Sequence, residues 1–173
     1  MFRNIFFLLL LVFVISQFLR PQKNEGSYDS ITAFETKAMV TDDVRQVLEE
    51  KCYDCHSNTT RYPWYMEVSP ITHWMAYQIE EGREHFNVSE WDLYDEERKK
   101  HKLEEIVEEI EMKEMPLKPY TWIHGELNSG EAERLINWAK ELKQNGFVKK
   151  EDTLQIEVRD TVPVLDSITG PMN

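Results

Sequence analysis

The most reactive side chains of the sequence lie together in one pentapeptide, Cys52-Tyr53-Asp54-Cys55-His56. The chain has two cysteines in all, so no thiol outside this motif is available for a disulfide framework. Two cysteines three positions apart, followed at once by histidine, form the pattern that attaches c-type haem. This spacing lets Cys52 and Cys55 reach the two vinyl groups of one porphyrin and directs His56 at the iron.

Three other interpretations of this motif compete with haem attachment. A thioredoxin-like dithiol needs a βαβ context, and no such pattern surrounds the motif. A zinc site would need a fourth ligand beside the two thiols and the imidazole. The third interpretation is chance, but the motif uses both cysteines and follows a segment typical of exported proteins. We therefore predict one covalently bound haem c per chain.

Methionine is the expected second axial ligand, because a thioether opposite histidine raises the reduction potential and suits electron transfer. Met115 lies just past a predicted helix end and before Pro116, in an extended segment that can cross a haem face. Met112 and Met75 are instead assigned to the apolar faces of helices. A second histidine is the alternative ligand, and His73, His85, His101 and His124 are the candidates. For His85 and His124, a surface or hydrogen-bonding role is the simpler interpretation.

Four amphipathic helices are predicted around these residues. The first is capped by Thr41, buries Val44, Val47 and Leu48, and ends at Cys52. The second runs from Ser69-Pro70 to about Gly82, the third from 96 to 112, and the fourth from 131 to 143 with a stop at Gly146. Pro116 and Pro119 predict a loop between the last two. The second helix is predicted to face inward with Ile71, Trp74, Met75 and Ile79. The third is predicted to do so with Leu103, Ile106, Val107 and Ile110, and the fourth with Leu135, Ile136, Ala139 and Leu142.

Residues 1–20 have the build of an export signal or a membrane anchor, since Arg3 precedes an apolar run over 5–19. As a helix this run covers about 22 Å, less than the ~30 Å hydrocarbon core, and snorkelling of Arg3 and Arg20 would close part of the gap. No small-x-small cleavage pattern follows. We expect an uncleaved single-pass anchor in the cytoplasmic membrane with the remaining chain in the periplasm, and cleavage to a periplasmic form is the alternative.

The rest of the chain divides into three parts. Residues 21–40 are polar and are expected to be a linker, and residues 41–146 to be the haem-binding domain. Residues 147–173 form a C-terminal tail with one alternating segment, 153–158, that could be a short strand. The predicted fold class is all-α: a cytochrome c-like bundle of about four helices around one covalent haem, with an N-terminal membrane helix.

The charge of the chain argues against nucleic-acid binding. The net charge is −12, with 32 acidic against 20 basic residues, whereas phosphate contacts require clustered Lys and Arg. This acidity serves solubility, or it forms an electrostatic face for a basic redox partner. The sequence does not identify that partner.

Four segments occur in an order that resembles the bacterial haem-binding domain family. They are CYDCHSNTTRYPWY at 52–65, HFNVSEW at 85–91, EMPL at 114–117 and YTWIH at 120–124. The resemblance covers about residues 40 to 144, and the family consists of small exported proteins with one CxxCH, similar to class I cytochromes c. It implies covalent haem, iron ligation by His56, and Met115 as the distal ligand.

These observations favour a one-electron carrier, not an enzyme, in which His56 and Met115 hold the iron. The alternative is a haem-based sensor or a small haem enzyme with an open sixth coordination position. A third hypothesis is a structural or redox module without haem.

Overall fold

Residues 2–146, which the computed structural model describes, contain eight α-helices, two 3₁₀ helices and no β-strand. The all-α prediction is thereby confirmed for this part of the chain. The predicted tail 147–173, with its possible strand at 153–158, lies outside the described residues. The α-helices are α1 (Phe2–Ser16), α2 (Asp29–Lys37), α3 (Asp42–Lys51), α4 (Tyr53–His56), α5 (Ile71–His85), α6 (Glu96–Glu111), α7 (Lys118–His124) and α8 (Ser129–Asn145). The 3₁₀ helices are η1 (Trp64–Glu67) and η2 (Val88–Leu93).

Helix α3 leads directly into the cysteine motif, as the sequence predicts. Val44, Val47 and Leu48 are all buried in the core. Thr41 is the N-cap residue, but the predicted side-chain cap is wrong. Its hydroxyl donates to the Asp43 carboxylate at 2.5 Å instead of accepting from a backbone amide.

The segment 21–40 is not simply a linker, because α2 lies within it and packs into the core. Phe34 is buried there and makes edge contacts with Trp91, Tyr53 and Trp138, the closest at 5.3 Å between ring centroids. Trp138 Nε1 also donates to the Ala38 carbonyl at 2.9 Å. These contacts make α2 part of the helical domain that the sequence predicts to begin at residue 41.

Helix α5 extends past its predicted end and buries fewer residues than its sequence suggests. It continues to His85, so Gly82 lies inside the helix. Met75 and Ile79 are buried, whereas Ile71 and Trp74 are 40% and 39% exposed. Only half of the predicted apolar face therefore packs inward.

Helices α6 and α8 pack against each other and match their predicted bounds within two residues. Leu103 of α6 is fully buried, and the predicted partners on the same face pack against the core while half-buried. Helix α8 begins with a capping box, in which Asn128 Oδ1 accepts from Glu131 N–H and Glu131 Oε2 accepts from Asn128 N–H. It ends at Asn145, and the next residue, Gly146, has a φ of 83° that is suited to glycine.

The predicted loop between Pro116 and the fourth helix contains a short helix, α7. Pro119 stands in its first turn, where the missing amide hydrogen is not needed. Proline therefore starts a helix here, which the sequence interpretation did not anticipate. Helix α7 carries Tyr120 and His124 towards the cysteine motif.

Helix α1 contains no buried residue, and its apolar side chains are exposed. It has 15 residues, and among the described residues no helix is long and apolar enough to cross a membrane. The expected N-terminal membrane helix is thus not supported. The end of α1 contacts the domain, because Ser69 N–H donates to Gln17 Oε1 at 3.0 Å and Ser69 Oγ donates to the Ser16 carbonyl at 2.9 Å.

Candidate haem site

One tight turn places the two cysteines and the histidine. Cys52 ends α3, and its amide donates to the Leu48 carbonyl at 2.9 Å. The Cys52 carbonyl then accepts from Cys55 N–H at 3.2 Å and from His56 N–H at 3.0 Å. The backbone of the CxxCH motif is therefore a helical turn, which sets both thiols and the imidazole in one fixed arrangement.

A single cavity brings the four predicted site residues together. Cys52, Cys55, His56 and Met115 all line it, although 59 residues separate the histidine from the methionine in the sequence. Its volume of about 660 Å³ is within the range of cofactor and ligand sites. Its apolar walls include Leu48, Phe86, Val88, Ile106, Ile110 and Leu135.

The orientation of His56 suits a metal ligand. Its Nδ1 lies 2.9 Å from the Phe86 carbonyl oxygen, which can only accept, so Nδ1 carries the proton and donates. Nε2 is therefore left with its lone pair free. Burial is the main effect on the pKa of His56 and lowers it, which favours the neutral imidazole that binds metals. A backbone carbonyl behind a histidine ligand is a common way to fix its tautomer.

The two cysteines are free thiols that differ from those of a dithiol oxidoreductase. Burial raises the pKa of Cys52 and of Cys55 to about 12. A reactive Cys-x-x-Cys pair has a lowered thiol pKa instead. Within residues 2–146, moreover, no three His, Cys, Asp or Glu side chains are placed to hold a metal ion together. The thiol pKa values are therefore unlike those of a reactive dithiol.

Gly82 allows α5 to lie directly on the cysteine turn. A Cβ atom at this position would lie 2.8 Å from the Cys55 carbonyl oxygen and 3.2 Å from Cys55 Cβ. The close approach also brings Phe86, one turn further on, to the position from which its carbonyl accepts from His56. The sequence interpretation treated Gly82 as a helix end, although a glycine inside an apolar helix pattern also signals close packing.

Asp54, between the cysteines, is buried at 6% exposure and is held by two other segments. Its Oδ1 accepts from the Arg61 backbone amide at 3.0 Å and from Arg61 Nε at 3.1 Å. Its Oδ2 accepts from Arg61 Nη2 at 3.0 Å and from the Tyr120 hydroxyl at 3.2 Å. These bonds fasten the CxxCH turn to the chain after it and to α7. Sequence reasoning missed this network, because none of its spacings is periodic.

Met115 is positioned by a turn that follows α6. Glu114 and Met115 both donate their backbone amides to the Glu109 carbonyl, at 3.0 and 3.3 Å. Lys113 has a left-handed φ of 59°, which reverses the chain at the helix end. Pro116 follows in the same cavity wall. The side chain of Met115 is half-buried.

The other candidates for the second axial ligand differ in their positions relative to the cavity. Met75 is buried with Ile79 and Met66 in a second apolar cluster and does not line the cavity, as expected for a core residue. Met112 lines the cavity but is 55% exposed, so its assignment to the apolar face of α6 is wrong. Among the other histidines, His85 lines the cavity, at its exposed edge.

Taken together, these features define a helical domain whose CxxCH turn faces a large, mainly apolar cavity. The sequence model of the haem-binding domain family matches residues 11–141, which is well over half of the chain. The chain belongs to the haem-binding domain family. This match begins inside the N-terminal apolar segment and includes α2, so it starts earlier than the sequence resemblance suggests. No curated protein and no solved structure matches the chain significantly.

The chemistry of the cavity residues fits a haem. Cys52 and Cys55 present thiols to the cavity, His56 offers an unprotonated Nε2, and Met115 offers a thioether. Two axial side chains from separate parts of the chain and apolar walls between them are what an iron porphyrin requires. If a haem is bound here, Cys52 and Cys55 would be its attachment points, and His56 and Met115 would be the candidate ligands of its iron.

Proposed function

We propose that this protein is a c-type cytochrome that carries single electrons. Cys52 and Cys55 would attach one haem through thioether bonds, and His56 and Met115 would be its axial ligands. The observation that carries the proposal is the shared cavity, because it unites these four side chains from two distant parts of the chain. Similarity to class I cytochromes c is part of the same proposal.

Each of these residues has one role in the proposal. His56, whose Nδ1 is held by the Phe86 carbonyl, would offer Nε2 to the iron. Met115 offers a soft ligand, which favours a raised reduction potential. The apolar walls would limit the access of water to a bound haem. Bound in this way, haem supplies reversible one-electron chemistry.

The covalent attachment is tested by the haem content of the protein, matured in a periplasm that assembles c-type cytochromes. We expect one haem per chain in a pyridine haemochrome assay, retained after denaturation and acid–acetone extraction. The double variant Cys52→Ala/Cys55→Ala should retain no haem under the same treatment. Extraction of all haem from the wild-type protein would refute the c-type assignment while leaving haem binding intact.

The axial ligand is tested by replacing Met115 and, as a matched control, Met112, which lines the same cavity. Met115→Ala should open the sixth position, so that the reduced protein binds carbon monoxide and its reduction potential falls. Met112→Ala should behave like wild type in both measurements. If the wild-type protein itself binds carbon monoxide readily, the sixth position is open and the alternative of a haem sensor or small haem enzyme replaces the electron carrier.

We further propose that the protein works at the outer face of the cytoplasmic membrane. The exposed apolar side chains of α1 support a membrane contact, although the helix is short. Cleavage of this segment would give a periplasmic form instead. The partner is proposed to be a redox protein with a basic face, since the chain carries a net charge of −12. N-terminal sequencing of the native protein distinguishes the anchored form from the cleaved form.

A further inference from the structure

A chain of polar and aromatic side chains leads from the CxxCH turn to the surface. The Tyr120 hydroxyl donates to Asp54 Oδ2 at 3.2 Å. The ring of Tyr120 lies flat on the ring of His124, with 4.0 Å between centroids and 4° between planes. His124 Nε2 in turn lies 2.6 Å from the Tyr65 hydroxyl oxygen. Thus His124 is connected through the side chain of Tyr120 to Asp54, which lies between the two cysteines.

The charged and titratable groups facing His124 come from its own helix and from four other segments. Tyr65 of η1 and Tyr120 of α7 contact the ring, while Lys51 of α3 donates to the His124 backbone carbonyl. Asp54 of α4 and Arg61 act on it electrostatically. Burial lowers the pKa of His124 first, Arg61 and Lys51 lower it further, and Asp54 raises it. The ring is half-buried, so a proton can still reach it from solvent.

We propose that His124 is a proton-binding site linked to the oxidation state of the haem, an inference that rests on the proposed function. When the haem site gains one electron from a redox partner protein, the proton affinity of His124 Nε2 rises, and the site takes up part of one proton per electron from solvent, which offsets some of the added negative charge. On oxidation the electron leaves to the acceptor and the same fraction of a proton returns to solvent. The protein would then exchange protons as well as electrons.

The contact with Tyr65 allows this proton to bind without breaking a hydrogen bond. With a neutral imidazole the Tyr65 hydroxyl donates to Nε2, and with a protonated one Nε2–H donates to the Tyr65 oxygen. The flat contact with the Tyr120 ring also favours the cationic form, because the face of an aromatic ring attracts positive charge. His73 lies exposed on α5 and lines no wall of the haem cavity, which makes it a suitable control.

The test is a redox titration of the holoprotein between about pH 5 and pH 9, the range in which histidine changes charge. We expect the midpoint potential of the wild-type protein to fall with rising pH across the His124 titration and to level off on either side. His124→Gln should remove most of this dependence, while His73→Gln should retain it. A variant His124→Gln that keeps the full pH dependence would overturn the proposal.

Nuclear magnetic resonance of the His124 ring gives a direct second measurement. Its proton affinity should be about three- to tenfold higher in the reduced than in the oxidised protein, as expected for a unit change of charge acting through protein. Equal affinities in the two states would refute the linkage even if the haem is bound and redox-active. A protein that gains no haem during maturation fails the attachment assay instead, and the proposed function and this inference then fall together.

Discussion

Asp54 places a buried negative charge between the two cysteines, so the local fold depends on the groups that compensate it. Arg61 supplies three donors and Tyr120 a fourth, and together they occupy both carboxylate oxygens. A buried carboxylate with this many donors is stabilised only while they are all in place. We infer that this cluster, rather than the thiols, keeps the CxxCH turn in shape.

Replacing Asp54 with asparagine should therefore destabilise the protein. Loss of the ion pair and of part of the hydrogen bonding should lower the free energy of unfolding by about 1–3 kcal/mol. The matched control is Asp92→Asn, because Asp92 pairs with Lys37 while 55% of its side chain is exposed, and an exposed pair contributes about 0–1 kcal/mol. Urea unfolding followed by circular dichroism gives both values. Equal stabilities of the two variants would show that the Asp54 cluster does not hold the turn.

At the scale of single residues, the sequence predicts the candidate haem-binding side chains better than the groups that orient them. Cys52, Cys55, His56 and Met115 were identified from residue type and spacing, and the structure brings them to one cavity. Their assignment as haem ligands stays a prediction. The Phe86 carbonyl could not have been predicted, since every residue has a carbonyl and only the fold decides which one faces His56.

Among the elements, those with a clear apolar period were predictable and those without one were not. Helix α3 and helix α8 appear with nearly the expected bounds, because their apolar residues recur at helical spacing between recognisable ends. Helix α2 was missed, although Ile31, Phe34 and Ala38 lie on one face, because its polar composition suggested a linker. Helix α7 was missed because proline was taken as a breaker rather than a first-turn residue.

The contact between α5 and α4 leads to a prediction for Gly82→Ala. Alanine favours a helix over glycine by about 1 kcal/mol, but its Cβ would lie 2.8 Å from the Cys55 backbone oxygen. We expect a net loss of about 2 kcal/mol in unfolding free energy, as for an overpacked core position. The haem content after maturation should fall as well, because α5 must move off the CxxCH turn.

Gly130→Ala is the matched control for this substitution. Gly130 lies in the first turn of α8, and an added Cβ would approach no atom closer than 3.4 Å. This variant should be as stable as wild type or more stable by up to about 1 kcal/mol. Thermal unfolding of the two variants side by side measures the contrast. If Gly82→Ala proved as stable as Gly130→Ala, α5 would not depend on a close approach to Cys55.

The helix starts at Thr41 and Asn128 should respond differently to alanine. Asn128 accepts from Glu131 N–H at 3.0 Å, so Asn128→Ala should cost about 1 kcal/mol. The Thr41 hydroxyl caps no amide, so Thr41→Ala should cost less than about 0.5 kcal/mol. Urea unfolding of both variants tests this order, and a larger loss for Thr41→Ala would contradict it.

At the scale of the whole molecule, α1 meets the remaining chain through polar groups and not through its apolar side chains. Ser69 is buried and bonds to Ser16 and Gln17, while Glu67 accepts from Arg20 and Lys23 at 2.5 Å each. These contacts hold the end of α1 against the domain. The apolar side chains of α1 do not pack against the core.

This arrangement predicts that a chain without residues 2–15 still folds but no longer binds membranes. Because α1 contributes no buried residue, the unfolding free energy of the shortened chain should stay within about 0.5 kcal/mol of the full chain. Binding to phosphatidylcholine vesicles should be lost, since apolar area entering lipid contributes about 25 cal/mol per Å². Urea unfolding and co-sedimentation with vesicles measure the two effects.

A full-length control keeps the helix but changes its surface. Leu9→Asp with Val12→Asp introduces two charges among side chains that are exposed in the structure, so this variant should fold normally and bind vesicles weakly. If the shortened chain and the charged variant both still sedimented with vesicles, the membrane contact would lie elsewhere on the protein. If the shortened chain instead lost several kcal/mol of stability, residues 2–15 would support the core and would have to be counted as part of the haem-binding domain.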